Sequence, residues 1–215
     1  MNKPFHFYTR LNLVELLSIQ AKNVVELLEG IKEAPDPSIY HHTHHFLQQH
    51  IFLSPEPPND FAFWTKNVLG LDKVSEKLAS VDTIKFSQIR ELRKKFIVIL
   101  ESYLEERNHR DINCPEGEEF HFMSCKTFII PTPYMANNLK EFFDIIQRVS
   151  INSIYFHIFE ARLRLEREGN DFSLWFESIG EKGLAKKLSR IDPYTITLEG
   201  LRKKIFQLVG QNVKA

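Results

Sequence analysis

Four histidines crowd one turn of chain, at His41, His42, His44 and His45, at the end of the segment Ser38–His45. Pairs at i, i+3 and i, i+4 lie on one face of a helix, where two imidazoles can share a metal ion. A related turn stands 115 positions later at Ser153–Glu160, where Ser-Ile-Tyr recurs and His157 and Glu160 take the places of His42 and His45. Brought face to face, His42, His45, His157 and Glu160 would make a three-nitrogen, one-carboxylate set suited to zinc, iron or manganese. The plainer chemistry is that His42 and His157 are core residues satisfied by hydrogen bonds.

Other residues could line a binding site. Tyr40, His41 and Tyr155 lie beside the same stripe. His6 and His121 each sit between two phenylalanines, which in an extended segment puts the histidine on the face opposite the aromatic pair. Trp64 and Trp175 suit a core, or a stacking platform for a sugar or base. The pairs Asn59-Asp60 and Asn170-Asp171 could lend a carboxylate to a site, though an N-cap for the helix that follows is the cheaper explanation. The Arg-Lys-Lys runs at Arg93–Lys95 and Arg202–Lys204 could hold an anion, or form a solvated helix face.

The elements that position these residues also come in echo. Phe5-His6-Phe7 returns as Phe120-His121-Phe122, and Ala21, Asn23 and Glu26 return as Ala136, Asn138 and Glu141. Further on, Asn59-Asp60-Phe61 and Trp64 return as Asn170-Asp171-Phe172 and Trp175, with the shift in spacing falling in the Pro-rich Leu53–Pro58. Fixed order with insertions confined to loops marks an internal repeat. Each copy opens on a segment rich in aromatic and β-branched residues, and Pro131 and Pro133 exclude a helix interior there. Apolar residues then take helical spacing from Val24 and from Leu139. A second helix starts at Pro37-Ser38 and Asn152-Ser153, its stripe running Ile39, His42 or Thr43, Phe46, His50 and Leu53 in the first copy. Three more helices follow, the last carrying Leu92, Phe96, Ile99, Leu100 and Tyr103 on one face. The expectation is a mainly α protein of two tandem pseudo-symmetric helical repeats, about five helices each, each preceded by a short extended segment. The repeats are placed at residues 1–106 and 120–215, joined by a polar linker at 107–119 and packed as one globular unit.

Composition removes several function classes. Lys plus Arg and Asp plus Glu each number 28, so the net charge is zero and the electrostatic drive of a nucleic-acid binder is missing. No apolar run approaches the length of a membrane span, and no signal-peptide core follows Met1. Cys114 and Cys125 are not in CxxC spacing and read as thiols of a reducing compartment, so a cytoplasmic location is expected. With 8 glycines there is little backbone to cradle phosphate, and no GxSxG, HExxH or Rossmann fingerprint is present.

Phe-His-Phe-Tyr-Thr-Arg, Ser-Ile-Tyr-His-His-Thr-His-His-Phe-Leu, Leu-Ser-Pro-Glu-Pro-Pro-Asn-Asp-Phe-Ala and the later Asn-Asp-Phe-Ser-Leu-Trp together resemble a family of uncharacterised prokaryotic proteins, a domain of unknown function. The resemblance runs from Phe5 to about Leu208 and implies a soluble, stand-alone protein, with no activity, cofactor or catalytic residue to transfer. The reading these residues carry furthest is a non-enzymatic module that binds a small ligand or a protein in the cleft between repeats, with a homodimer as a candidate state and no certain cofactor. The alternative is a metal-dependent hydrolase or oxidoreductase built on His42, His45, His157 and Glu160.

Overall fold

The computed structural model describes residues 3–45, 59–106, 112–161, 169–191 and 196–213. The chain opens with β1 (Phe5–Ala21), followed by α1 (Val24–Glu33), α2 (Asp36–Tyr40), a π-helical turn (His41–His45), α3 (Asp60–Asn67), α4 (Asp72–Ala79) and α5 (Ile89–Glu106). The series then recurs as β2 (Phe120–Ala136), α6 (Leu139–Ile146), α7 (Ile151–Tyr155), a second π-helical turn (Phe156–Glu160), α8 (Asp171–Ser178), α9 (Lys182–Ser189) and α10 (Leu198–Val213). No helix among the described residues is long and apolar enough to cross a membrane.

This layout corrects the expected mainly α pair of tandem helical repeats. Of the described residues 59 % are helical and 19 % are strand, in a β-α-…-β-α order, so the protein is mixed and not all-α. The leading segments are 17-residue strands, and they pair with each other in one antiparallel two-stranded sheet. The pairing joins residues more than a hundred positions apart, which no local periodicity reveals.

Side-chain bonds give the register. Thr127 Oγ1 donates to Asn12 Oδ1 at 2.9 Å and Thr132 Oγ1 to the Phe7 carbonyl at 2.6 Å, which puts residue 12 opposite 127 and residue 7 opposite 132. Leu11 therefore faces Phe128 across the ladder. Direction along the strand alternates. The Tyr8 N–H and the Lys22 carbonyl both point away from β2, to His157 and to the Cys114 N–H, so even-numbered residues of β1 present their backbone on the outer edge. On β2 the Met123 N–H points outward to His42, so odd-numbered residues are outward there. Pro131 and Pro133 occupy outward positions, where the ladder needs no N–H, and the strand runs through them to Ala136.

The chain forms two compact units. Residues 3–12 join the described residues from 127 onward in one, and residues 13–45 join those of 59–126 in the other. In the first unit Phe5 and Phe7 pack on Phe142, Phe172 and Trp175 at centroid distances of 5.3–6.0 Å. In the second, Phe120 and Phe122 pack on Phe61, and the Phe122 ring lies so close to Gly30 that a Cβ there would meet it at 2.3 Å. Both tryptophans fix the chain leading into these strands: Trp64 Nε1 donates to the Glu118 carbonyl and Trp175 Nε1 to that of Lys3.

Helix ends explain most of the remaining echoes. Asn23 and Asn138 accept from the Glu26 and Glu141 N–H, and the two glutamates reach back to the N–H of Lys22 and Asn137. These reciprocal bonds settle N–H groups that a bare helix start leaves orphaned. At the other end, Arg93 donates to the Ile31 and Lys32 carbonyls, and Arg202 to those of Ile146, Gln147 and Val149, capping α1 and α6.

Candidate functional site

The π-helical turns carry the histidines. Tyr40 stacks on His44 at 5.1 Å and Tyr155 on Phe159 at 4.9 Å, each pair within about ten degrees of parallel. His41, His42, Thr43 and His44 are all buried, as are Phe156, His157, Ile158 and Phe159. Such turns inside α-helices are frequent at functional sites.

His42 and His157, 1 % and 2 % exposed, are held in the same way. The Met123 N–H donates to His42 Nε2 at 2.9 Å, and the Tyr8 N–H donates to His157 Nε2 at 2.9 Å. A nitrogen that accepts carries no proton, so in each ring the proton sits on Nδ1. From there it is donated to a carboxylate: His42 Nδ1 to Asp60 Oδ2 at 2.8 Å, and His157 Nδ1 to Asp171 Oδ2 at 2.7 Å. The aspartate orients the ring and the ring closes an outward N–H of a strand. Asn59 and Asn170 take the N-cap role by accepting from the Ala62 and Ser173 N–H. This leaves the neighbouring aspartates to reach the histidines.

The two turns differ around this shared core. In the first unit Arg10, buried, pairs with Glu160 and lies over the Tyr155 ring at 4.2 Å. In the second, the position equivalent to Arg10 is Cys125, whose Sγ donates to the Pro37 carbonyl at 3.8 Å. Burial and the neighbouring Glu119 push the other thiol, Cys114, up from the ordinary cysteine range, which quiets it as a nucleophile.

The expected ligand set is thus distributed as follows. His42 lies in one unit with Asp60; His157 and Glu160 lie in the other with Asp171 and Arg10. The side chain of His45 falls outside the described residues, as do Phe46, His50 and Leu53. Among the described residues, those brought close enough to suggest a metal are instead His41, His42 and Asp60, with ligand atoms within 4.8 Å of one another. Tested against the bonding, this set fits a cation poorly. Both nitrogens of His42 are already engaged, and a metal there must displace either the Asp60 contact or a backbone N–H. No cofactor is established. Of the other expected binding residues, Tyr40 is half-buried, Tyr155, His41, Trp64 and Trp175 are buried, and His6 and His121 are exposed on the face opposite the phenylalanines.

The His–Asp links were not foreseen, although a signal existed: of the four clustered histidines, only His42 recurs as a histidine, and it recurs together with its aspartate.

Beyond these turns, the surface feature that stands out is the middle of the ribbon. Leu11, Leu13 and Leu16 are 59, 58 and 66 % exposed, with Val14 also exposed, and on β2 Phe128, Ile129 and Ile130 are exposed in succession. Leu11 and Phe128 face each other on the strand face that carries the buried Phe7. The apolar face therefore continues past the part that helices cover.

A family model described as "Family of unknown function (DUF5752)" matches residues 2–210. Among solved structures, the chain is similar to OrfY from Thermoproteus tenax, an archaeon, at 28 % identity and a TM-score of 0.81, over 99 % of this chain and 97 % of that one. No curated protein matches.

Proposed function

The chain belongs to this family of unknown function, a membership that assigns no chemistry, and from the geometry we propose that the protein is a non-enzymatic binding module holding a protein partner on the exposed stretch of its ribbon. The observation that carries this is the run of exposed apolar side chains at Leu13, Val14 and Leu16. Isolated exposed leucines are ordinary, but several contiguous on a strand mark an interaction surface. The buried histidines support the same reading from the other side, since imidazoles already committed to a carboxylate and a backbone N–H are poorly placed to act as bases or ligands. A test is a photo-crosslinking residue at position 13, compared with one at the exposed Lys187 on a helix, in cells that make the protein. One specific protein crosslinked at 13 and lost in a Leu16→Asp variant supports the reading; no adduct above the Lys187 control overturns it.

A second reading, a metal-dependent hydrolase or oxidoreductase, would rest on the cluster of His41, His42 and Asp60. Elemental analysis of the untagged protein decides this reading: near-stoichiometric zinc, iron or manganese that is lost in His41→Ala supports it, and substoichiometric metal unchanged by that substitution sinks it.

A further inference from the structure

The exposed stretch of β1 also has an open backbone edge, and the two strands differ there in a way that bears on what covers it. Val14, Leu16 and Ser18 present their N–H groups on the side away from β2, and among the described residues no backbone group bonds them on that side. An edge of this kind, flanked by exposed leucines, is a template for another strand. The equivalent outward positions of β2 are Ile129, Pro131 and Pro133, and two of these three have no N–H to offer. Each chain therefore has one edge able to accept a strand and one that refuses it.

We infer that the β1 edge at Leu13–Ser18 pairs antiparallel with the same edge of a second copy of this chain, giving a sheet in the strand order β2, β1, β1, β2. This deepens the binding reading above by naming the partner. A chain open at both edges would add copies without end, whereas one open and one proline-blocked edge closes after a single isologous addition. Charge does not oppose it. The net charge is zero, and from Leu11 to Gln20 Glu15 alone is charged. A register centred on Leu16 pairs Val14 with Ser18, sets Glu15 against Leu17 of the other copy and keeps the two glutamates apart. The size of the contact sets its strength. Interfaces bury about 30–40 Å² per contributing residue, so roughly ten residues of β1 from each copy bury about 700 Å² in total, short of the ~1,200 Å² at the lower end of standard interfaces. That area fits a reversible dimer dissociating in the micromolar range, not a permanent one.

Sedimentation velocity of the untagged full-length chain, from about 1 to about 200 µM, tests this. The wild type is expected to pass from monomer to dimer within that range. Leu16→Pro combined with Ser18→Pro copies the proline pair already accepted at 131 and 133, so the ladder to β2 survives while the outer N–H groups are lost. This variant is expected to keep its circular dichroism and to dissociate at least ten-fold more readily. Leu16→Lys, which leaves the backbone intact, is expected to weaken the dimer likewise. A wild type monomeric at every concentration, or a dimer indifferent to both variants, overturns the inference. If the wild type is monomeric while position 13 still crosslinks a different protein, self-pairing fails and the binding reading stands.

Discussion

Replacing His157 by Phe isolates what the imidazole does. The phenyl ring keeps the packing on Phe5 and Phe172, whose centroids lie 4.9 and 5.2 Å from the imidazole, but offers no acceptor to the Tyr8 N–H and no donor to Asp171. A buried N–H left without a partner costs about 1–3 kcal/mol, and the lost bond to a carboxylate about 1.5–3 kcal/mol. The added apolar surface of the phenyl ring returns about 1 kcal/mol. The net expected loss is about 2–4 kcal/mol, or roughly 4–16 °C in melting temperature for a chain of this size. Asp171→Asn should cost about 1 kcal/mol, because the ring keeps a weaker neutral partner. In the double variant the two losses should fall short of additivity by about 1 kcal/mol or more. Urea unfolding measures these losses, and hydrogen exchange at the Tyr8 amide reads the strand directly. That amide, protected in the wild type, should exchange in His157→Phe like an open edge. A Tyr8 amide equally protected in the variant, or a total cost below about 0.5 kcal/mol, would refute the reasoning.

Three further outcomes follow from the packing. Gly30→Ala should destabilise by about 1–3 kcal/mol, because its Cβ meets the Phe122 ring at 2.3 Å, whereas Gly183→Ala, with nothing within 4 Å, should stabilise by about 0.5–1 kcal/mol; thermal melts separate the two. Deleting residues 1–12 removes Phe5 and Phe7 from the aromatic cluster around Phe142, so the near-ultraviolet signal of Trp175 should collapse while that of Trp64 persists in single-tryptophan variants. The bonds that the Asn137 backbone and side chain donate hold the Glu141 carboxyl below the usual glutamate range. A lowered folded value adds stability above the unfolded value and loses it as pH falls through the folded one. Glu141→Gln should therefore destabilise at pH 7, with the difference from the wild type shrinking as pH falls below the usual glutamate value near 4.3.

Much of this fold can be read from residue patterns. The helical stripes at Val24–Ile31 and Leu92–Tyr103 appear as amphipathic elements, and Asn59 and Asn170 do cap helices; the caps at Asn23 and Asn138 show in the sequence only as an echo. The strands were legible as extended but not as long, since what lengthens them is a partner more than a hundred residues away. Pro131 and Pro133 argue against a helix, yet they also look like terminators until the ladder shows that their missing N–H groups face outward. At the site, counting histidines drew attention to the four-residue cluster, while the informative pattern was the joint recurrence of His42 with Asp60 and of His157 with Asp171. A cap explains Asn59-Asp60 only by half. The asparagine caps, and the aspartate is left for the imidazole. The arginines at 93 and 202 echo because each closes the end of a helix, which spacing along one helix cannot show.

The protonation of the two buried imidazoles is the most direct check on the claim that they pin strands and do no chemistry. Long-range proton–nitrogen correlation at pH 7, on protein labelled with ¹⁵N histidine, assigns each ring nitrogen as protonated or bare. His42 and His157 should both appear as neutral rings protonated at Nδ1, with spectra unchanged when zinc is added, because Nε2 holds the N–H of Met123 or Tyr8. A proton on Nε2 of either ring, or a zinc-dependent shift at His42, would contradict the account and return that histidine to the list of ligands.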